Sequence, residues 1–371
     1  MRLMRIVSVA ILSVLLWLAM AERSAGAPVG PEGFVGAARC ATCHPVQATS
    51  HAKSGHARSL HPAGAHPLAK QFSRDTVYQR EPGFRFRFRL AGERLRVTGY
   101  DGRKRMDIPV EWAFGAGDQA VTLVTRIDAN WYLEHYLSFY TALGGMAPTA
   151  GHGARKPKTL PEAMGEPYAS SDPKTGILGC FECHSTGSVR MDPRTGLQPL
   201  QPGVQCEACH GAGLDHVAAA NRGATVEARR RIGNPKRLSA TALNEFCGRC
   251  HRPPTVEGAT IDWNYSWNLR HQPVYLSQSK CLQNSRGKLS CFTCHEPHQP
   301  LEKRAAAYNQ RCLACHESNG PAPVPGCQTE ARSNCIDCHM PRVSPQPALR
   351  FTNHWIGIYG EGSKLKPRQV P

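Results

Sequence analysis

Fourteen of the 16 cysteines stand in seven copies of one pattern, Cys-x-x-Cys-His. The copies are CATCH (Cys40, Cys43, His44), CFECH (Cys180, Cys183, His184), CEACH (Cys206, Cys209, His210) and CGRCH (Cys247, Cys250, His251). They continue with CFTCH (Cys291, Cys294, His295), CLACH (Cys312, Cys315, His316) and CIDCH (Cys335, Cys338, His339). Two thioether bonds from such a cysteine pair fix one edge of a porphyrin, and the histidine that follows then lies beneath the iron as its proximal ligand. A zinc ribbon or a thioredoxin-like dithiol also uses Cys-x-x-Cys, but neither needs a histidine directly after the second cysteine. Seven repeats therefore imply seven covalently attached haem c groups. The fourteen cysteines are the thioether donors and the seven histidines the proximal ligands.

The sixth position on each iron decides what such a protein does. A second histidine gives a closed, low-potential electron carrier, and a free position admits a substrate. Of 17 histidines, ten remain as candidates for that position, namely His51, His56, His61, His66, His135, His152, His216, His271, His298 and His354. The supply covers seven distal ligands but does not require them. In CFTCHEPHQP, His298 follows His295 by three residues on the proximal side of the same macrocycle. It cannot cross to the opposite face of that iron, so as a ligand it serves a neighbouring haem. His135 shares the parity of Trp131, Leu133, Leu137 and Phe139, which turns it inward as a core histidine or a ligand, and His271 reads similarly. His51, His61 and His66 lie in a polar stretch bearing Pro and Gly, and most of them are expected at the surface. His152, in PTAGHG, stays a distal candidate. No Cys-x-x-Cys-Lys occurs, so nothing supports a lysine-ligated catalytic haem.

These sites need elements to hold them, and the chain offers little. Six of the seven motifs crowd into residues 180–339, and about 50 residues per motif are too few for conventional apolar pockets. The haems themselves must then supply the core, wrapped by short helices and loops rich in the 34 glycines and 29 prolines. The motif-free stretch reads differently. FRFRFRL puts Phe84, Phe86, Phe88 and Leu90 on one face and Arg85, Arg87 and Arg89 on the other, the period of a half-buried strand. LRVTGY, the Asp101-Gly102 turn, and MDIPVEW with Pro109 at an edge continue an antiparallel meander. AVTLVTRI and WYLEHYLSFY complete it. The arginine stripe reads as a solvated face.

At the N-terminus, MRLMR and the apolar run Ile6–Ala21 form a secretory signal peptide. Cleavage after Ala21 avoids a proline at the new terminus, whereas a cut after Ala27 would expose Pro28. An uncleaved signal anchor is the alternative, although the run is short for a span. The expected divisions are 1–21 signal peptide, 28–70 first-haem segment, 71–150 β-rich insert and 151–371 six-haem domain. A net charge of +17 suggests nucleic acid, but no binding module accompanies it. Seven haems carry about 14 propionate charges, which the lysines and arginines offset.

Several stretches carry a family resemblance across most of the chain: CATCHPVQATSHAKSGHARSL, CEACHGAGLDH, SKCLQNSRGKLSCFTCHEPH, and CIDCHMP with the later NHWI. They resemble the exported multihaem cytochromes c related to hydroxylamine oxidoreductase, its tetrahaem acceptor cytochrome and octahaem tetrathionate reductase. The resemblance implies that His56, His216, His298 and His354 ligate haems other than those of their own motifs. Ala212 and Asn353 depart from the family's usual proline and aspartate. Cys281 and Cys327, the two unmatched cysteines, are expected to form a disulfide in an oxidising compartment, a pairing the resemblance also implies. The alternative is two separate buried thiols.

The expected fold is thus a multihaem cytochrome c fold of short α-helices and loops on stacked haems, with a small antiparallel β-meander insert. The expected function is a periplasmic heptahaem carrier working with redox partner proteins, quinol-linked or periplasmic. A multihaem oxidoreductase acting on a small nitrogen or sulfur species at one open haem is the alternative. A subunit of a larger respiratory complex, docked through the meander, is a third.

Overall fold

A computed structural model describes residues 32–74, 76–152, 156–171, 176–254, 261–316 and 334–368. All 17 histidines lie within these ranges. The signal segment and Cys327 fall outside them, and with Cys327 the expected Cys281–Cys327 bond.

Each motif is carried by a helix, and the helix explains the spacing. Residues i, i+3 and i+4 of an α-helix lie on one face, so both cysteines and the histidine point the same way. The second to seventh motifs sit in or at the end of Leu178–His184, Cys206–His210, Ala240–His251, Cys291–Cys294, Ala305–His316 and Cys335–His339. The first begins in the short helix Ala37–Ala41. The chain turns away directly after the histidine in several of them. Gly211 takes φ 77°, and Arg252 is one of two non-glycine residues with positive φ among those described. Pro45 opens a new helix, Pro45–His51, beside His44.

Fifteen strands are present among the described residues: β1 (Leu60–Pro62), β2 (Tyr78–Arg80), β3 (Phe84–Ala91), β4 (Arg94–Tyr100), β5 (Arg105–Val110), β6 (Trp112–Phe114), β7 (Ala120–Arg126), β8 (Trp131–His135), β9 (Leu137–Tyr140), β10 (Gly145–Pro148), β11 (Gly165–Ala169), β12 (Ser185–Asp192), β13 (Gly196–Pro202), β14 (Arg342–Gln346) and β15 (Leu349–Thr352). Part of the expected meander forms the four-stranded sheet β2-β3-β4-β5, with β5 and its Pro109 at the edge, whereas AVTLVTRI (β7) and WYLEHYLSFY (β8 and β9) belong to a different sheet. Phe84, Phe86, Phe88, Leu95 and Val97 face the core, while Arg85, Arg89, Arg94 and Arg96 are exposed. At the Asp101-Gly102 turn the Asp101 carboxylate accepts from Arg103 N and Lys104 N.

A second, seven-stranded sheet runs β1-β6-β7-β8-β11, with β9 and β10 branching from β7. It recruits strands from both sides of the 71–150 stretch, so the β structure is larger than a single meander. Trp131 is exposed at the start of β8, while His135 at its end is buried.

The two halves of the chain are packed unlike one another. The main core gathers Phe72, Phe86, Phe88, Leu123, Phe139 and Met164 from the β-rich half. A second cluster sets Trp112 and Phe114 against Phe181, one residue after Cys180. Among the described residues beyond Leu197 the buried apolar side chains thin to Leu243, Leu269, Val274, Tyr275, Leu349 and three alanines. Five motifs occupy that half. It lacks the apolar area a polypeptide core of its size needs.

Candidate haem-binding sites

Four proximal histidines face a second imidazole at nearly one spacing. His44 faces His216 with ring centroids 6.3 Å apart, His251 faces His56 at 6.1 Å, His210 faces His298 at 6.0 Å and His295 faces His354 at 6.3 Å. A metal–imidazole nitrogen bond is about 2 Å, which sets each ring centroid about 3 Å from the metal. Two rings across one iron therefore stand about 6 Å apart. These residues fit the group in spacing as well as in type. His216, His298, His354 and His56 all come from segments outside the motif they face.

The ring nitrogens separate two populations of histidine. Nδ1 of His184 lies 3.0 Å from Ser59 O, that of His210 2.7 Å from Gly233 O, and that of His339 3.0 Å from Gly357 O. On the distal side, Nδ1 of His216 lies 2.8 Å from Ala228 O and that of His354 3.0 Å from Thr352 O. A carbonyl only accepts, so each Nδ1 carries the proton and leaves the Nε2 lone pair for a metal. His298 places Nδ1 3.0 Å from the Glu296 carboxylate to the same effect. His66, His135 and His152 do the reverse. Their Nε2 atoms are taken by Gly115 O, Thr125 Oγ1 and Glu134 Oε2 at 3.0, 2.7 and 2.9 Å.

His152, a distal candidate by sequence, thus stands beside Glu134 and Tyr136, away from any proximal ring. His135 is a hydrogen-bonded core residue. His66, in a stretch whose histidines are mostly expected at the surface, is 3% exposed, its ring wedged between His61 and Phe72. His51 lies edge-on to His298, with centroids 6.4 Å apart.

For His56, His251, His295 and His354 the surroundings lower the pKa, which favours the neutral form that binds metal. His354 is pushed down to about 4 by burial and then by the nearby His295. His56 is exposed at the surface, yet the protein packed beside its ring partly desolvates it. That desolvation, with His251 beside it, lowers its pKa to about 4 as well. The same cause lowers His251 and His295.

Two proximal histidines have other surroundings. His184 packs edge-on against Phe114 at 5.4 Å, and among the described residues no imidazole faces it. Among those residues none faces His339 either.

The cysteines of different motifs also meet. Cys40 and Cys206, Cys183 and Cys250, Cys247 and Cys291, and Cys312 and Cys335 are electrostatic neighbours. Sequence reasoning missed three side chains that hold these meetings in place. Glu207 Oε1 accepts from Val35 N and Gly213 N at 2.9 and 2.8 Å, and Oε2 from Gly36 N and Gln201 Nε2 at 2.8 and 3.1 Å. Asn244 Oδ1 accepts from Cys291 N, and Asn309 Oδ1 from Cys335 N, each at 2.9 Å. A signal was available for the asparagines, since each stands three residues before the first cysteine of its motif, in NEFCGRCH and NQRCLACH.

Comparison with known proteins agrees with this chemistry. The family described as cytochrome c554 and c-prime matches residues 152–211, which hold the second and third motifs. The multiheme cytochrome MtrA of Shewanella baltica is 26% identical over 210 residues, 51% of this chain and 55% of its own. The C-type polyheme cytochrome OmcB of Geobacter sulfurreducens is 32% identical over 162 residues, 42% of this chain and 20% of its own. The chain thus spans about half the length of the first relative and a fifth of the second. Among solved structures, the outer cell wall cytochrome OcwA matches with a TM-score of 0.47 and 14% identity, over 87% of this chain and 79% of that one.

Proposed function

We propose, taking the chain as one of the multihaem c-type cytochromes, that it is an exported heptahaem electron carrier with mostly bis-histidine haems. The observation that carries this reading is the set of four imidazole pairs at one metal-sized spacing. Haem c bound between such rings supplies one-electron chemistry at a closed iron. The chain's part is to hold both axial nitrogens and bring the attachment cysteines of successive motifs together.

The neighbouring cysteines support an order in which motif 1 neighbours motif 3, motif 4 neighbours motifs 2 and 5, and motif 6 neighbours motif 7. Cys209 is also within electrostatic range of Cys247, and Cys312 of Cys294, which supports one connected array. Tunnelling decays exponentially with distance, so a crowded array is what fast transfer needs. Its partners in this reading are protein electron donors and acceptors, quinol-linked or periplasmic, and its compartment is the periplasm. The nearer kinship, to the hydroxylamine oxidoreductase and tetrathionate reductase group, rests on the sequence stretches that resemble it.

Electron paramagnetic resonance of the oxidised holoprotein tests the reading. Low-spin ferric signals from the haems of motifs 1, 3, 4 and 5 are expected, with seven haems by mass. A predominantly high-spin spectrum rejects the carrier.

A second reading has its own observation. His184 faces Phe114 rather than an imidazole, which favours an open-coordinate haem at motif 2 and an oxidoreductase of a small nitrogen or sulfur species. A high-spin signal that shifts on adding nitrite, hydroxylamine or sulfite, and that vanishes in Cys180→Ala/Cys183→Ala, supports it. The absence of any such shift removes it.

A further inference from the structure

The motif helices are short, and a helix start leaves backbone N–H groups without partners inside the helix. In three of the seven motifs a backbone N–H at or just before the helix start is held by a side chain from a different motif's helix. The helix Cys291–Cys294 of motif 5 begins at Cys291, whose N–H is held by Asn244 from the helix Ala240–His251 of motif 4. Motif 7 repeats the arrangement, with Cys335 N held by Asn309 from the helix Ala305–His316 of motif 6. The match is positional as well as chemical. Both asparagines are the fifth residue of a twelve-residue helix ending on its motif histidine, and both are 4% exposed. Motif 1 is held by another group in the same role. Glu207, inside motif 3 and 3% exposed, accepts from Val35 N and Gly36 N at the entrance to the helix Ala37–Ala41.

The three capped pairs are also three of the four motif pairs whose cysteines are electrostatic neighbours: Cys40 with Cys206, Cys247 with Cys291, and Cys312 with Cys335. Asn244 Oδ1 lies 3.2 Å from Cys291 Sγ itself. Two features, the cap and the neighbouring cysteines, thus select the same partners. A solvent-exposed serine would satisfy the same backbone groups without linking motifs, as Ser239 does for Ala242 N.

We infer that Glu207, Asn244 and Asn309 are positioning residues that lock the haem-attachment motifs into the pairs 1–3, 4–5 and 6–7, and thereby set the haem-to-haem contact within each pair. The inference rests on haem attachment at the motifs, and it goes beyond the carrier reading by naming the groups that fix the geometry. Each macrocycle is tethered by its two cysteines, so holding the first cysteine of one motif against the helix of another fixes the relative placement of both tethers. A buried carbonyl or carboxylate oxygen suits this role because its loss leaves a buried N–H unsatisfied.

The test has two arms on the holoprotein. Asn244→Ala and Asn309→Ala are each compared with wild type for haem count by mass, Soret-region circular dichroism and stepwise reduction potentials. The expected result is a full haem count with a weakened exciton signal and a potential shift confined to two haems, a different two in each variant. Asn244→Asp, which keeps the accepting oxygen, restores the wild-type spectrum at least in part. A variant holding seven haems with an unchanged exciton signal and unchanged potentials overturns the inference. Should the alanine variants not fold, hydrogen exchange on wild type decides. The amides of Cys291 and Cys335 are expected to exchange roughly tenfold more slowly than that of Cys206, whose helix has no side-chain cap. Equal rates overturn the inference. A mass showing no haem at the motifs would instead refute the reading beneath it.

Discussion

His210 and His298 lie with ring planes 7° apart and centroids 6.0 Å apart, although one belongs to motif 3 and the other follows motif 5. His298 hangs three residues beyond its own proximal histidine and faces the proximal histidine of a different haem. His298→Ala should therefore turn the haem of motif 3 from low to high spin while its thioether bonds stay intact. Mass spectrometry reads the attachment and electron paramagnetic resonance the spin state. His152→Ala, whose Nε2 is bound to Glu134, should leave every low-spin signal in place, and an altered spectrum would reassign His152 as a ligand.

Gly115 shows how tightly the β-rich half is closed around motif 2. Its φ is 116°, and an added Cβ would run into the Ala120 carbonyl oxygen. Its N–H donates to Ser59 O, and its own carbonyl accepts from His66. Gly115→Ala combines left-handed backbone strain with a steric clash, and about 2–4 kcal/mol of stability should be lost. The urea midpoint of the holoprotein measures it. Because Ser59 O also holds His184 Nδ1, the variant should disturb the haem of motif 2 before the others.

Sequence patterns reveal the parts of this molecule whose periodicity is local. Cys-x-x-Cys-His fixes three side chains on one helix face, and Phe84, Phe86 and Phe88 alternate with arginines because a strand demands it. Both are decided within eight residues. His56, His216 and His354 were legible only through resemblance, since their partners are far away in the chain, whereas the three-residue step from His295 already directs His298, as a ligand, to a neighbouring haem. The extent of the seven-stranded sheet was not legible at all. β1 and β11 are three and five residues long, too short to carry a period, and they are strands because they pair with β6 and β8. His66 lies in a polar stretch whose histidines read mostly as surface residues. It is buried because Gly115 and Leu68 supply both of its hydrogen bonds.

The two structural histidines give the stability a pH dependence of known sign. Burial is the main cause that lowers His66 to about 4 and His135 to about 3, against about 6.5 in an unfolded chain. Between these values the unfolded state binds more protons, so stability is full above about pH 6.5 and falls as pH drops towards 4. Each group contributes a slope of about 1.4 kcal/mol per pH unit inside its window. Urea unfolding at several pH values should show this fall in wild type, and His135→Gln should reduce the slope between pH 6 and 4 by about one proton. An unchanged slope would mean that His135 is not held neutral.

Without attached haem the two halves of the chain should part company. The β-rich half buries Phe72, Phe86, Phe88, Leu123 and Phe139 in one apolar cluster, enough to order strands by itself. The half beyond Leu197 holds five motifs around few buried apolar side chains among the described residues, and its conformational entropy has nothing comparable to offset it. Chain made where haem is not attached should therefore show strand signal in circular dichroism with little helix. Limited proteolysis should leave a resistant fragment from about residue 60 to about residue 200 and digest the remainder, since cleavage follows unprotected backbone. Haem attachment should then protect the C-terminal half as well, because an attached cofactor would supply the apolar core that half needs. A haem-free chain resistant along its whole length would show that the polypeptide supplies that core itself.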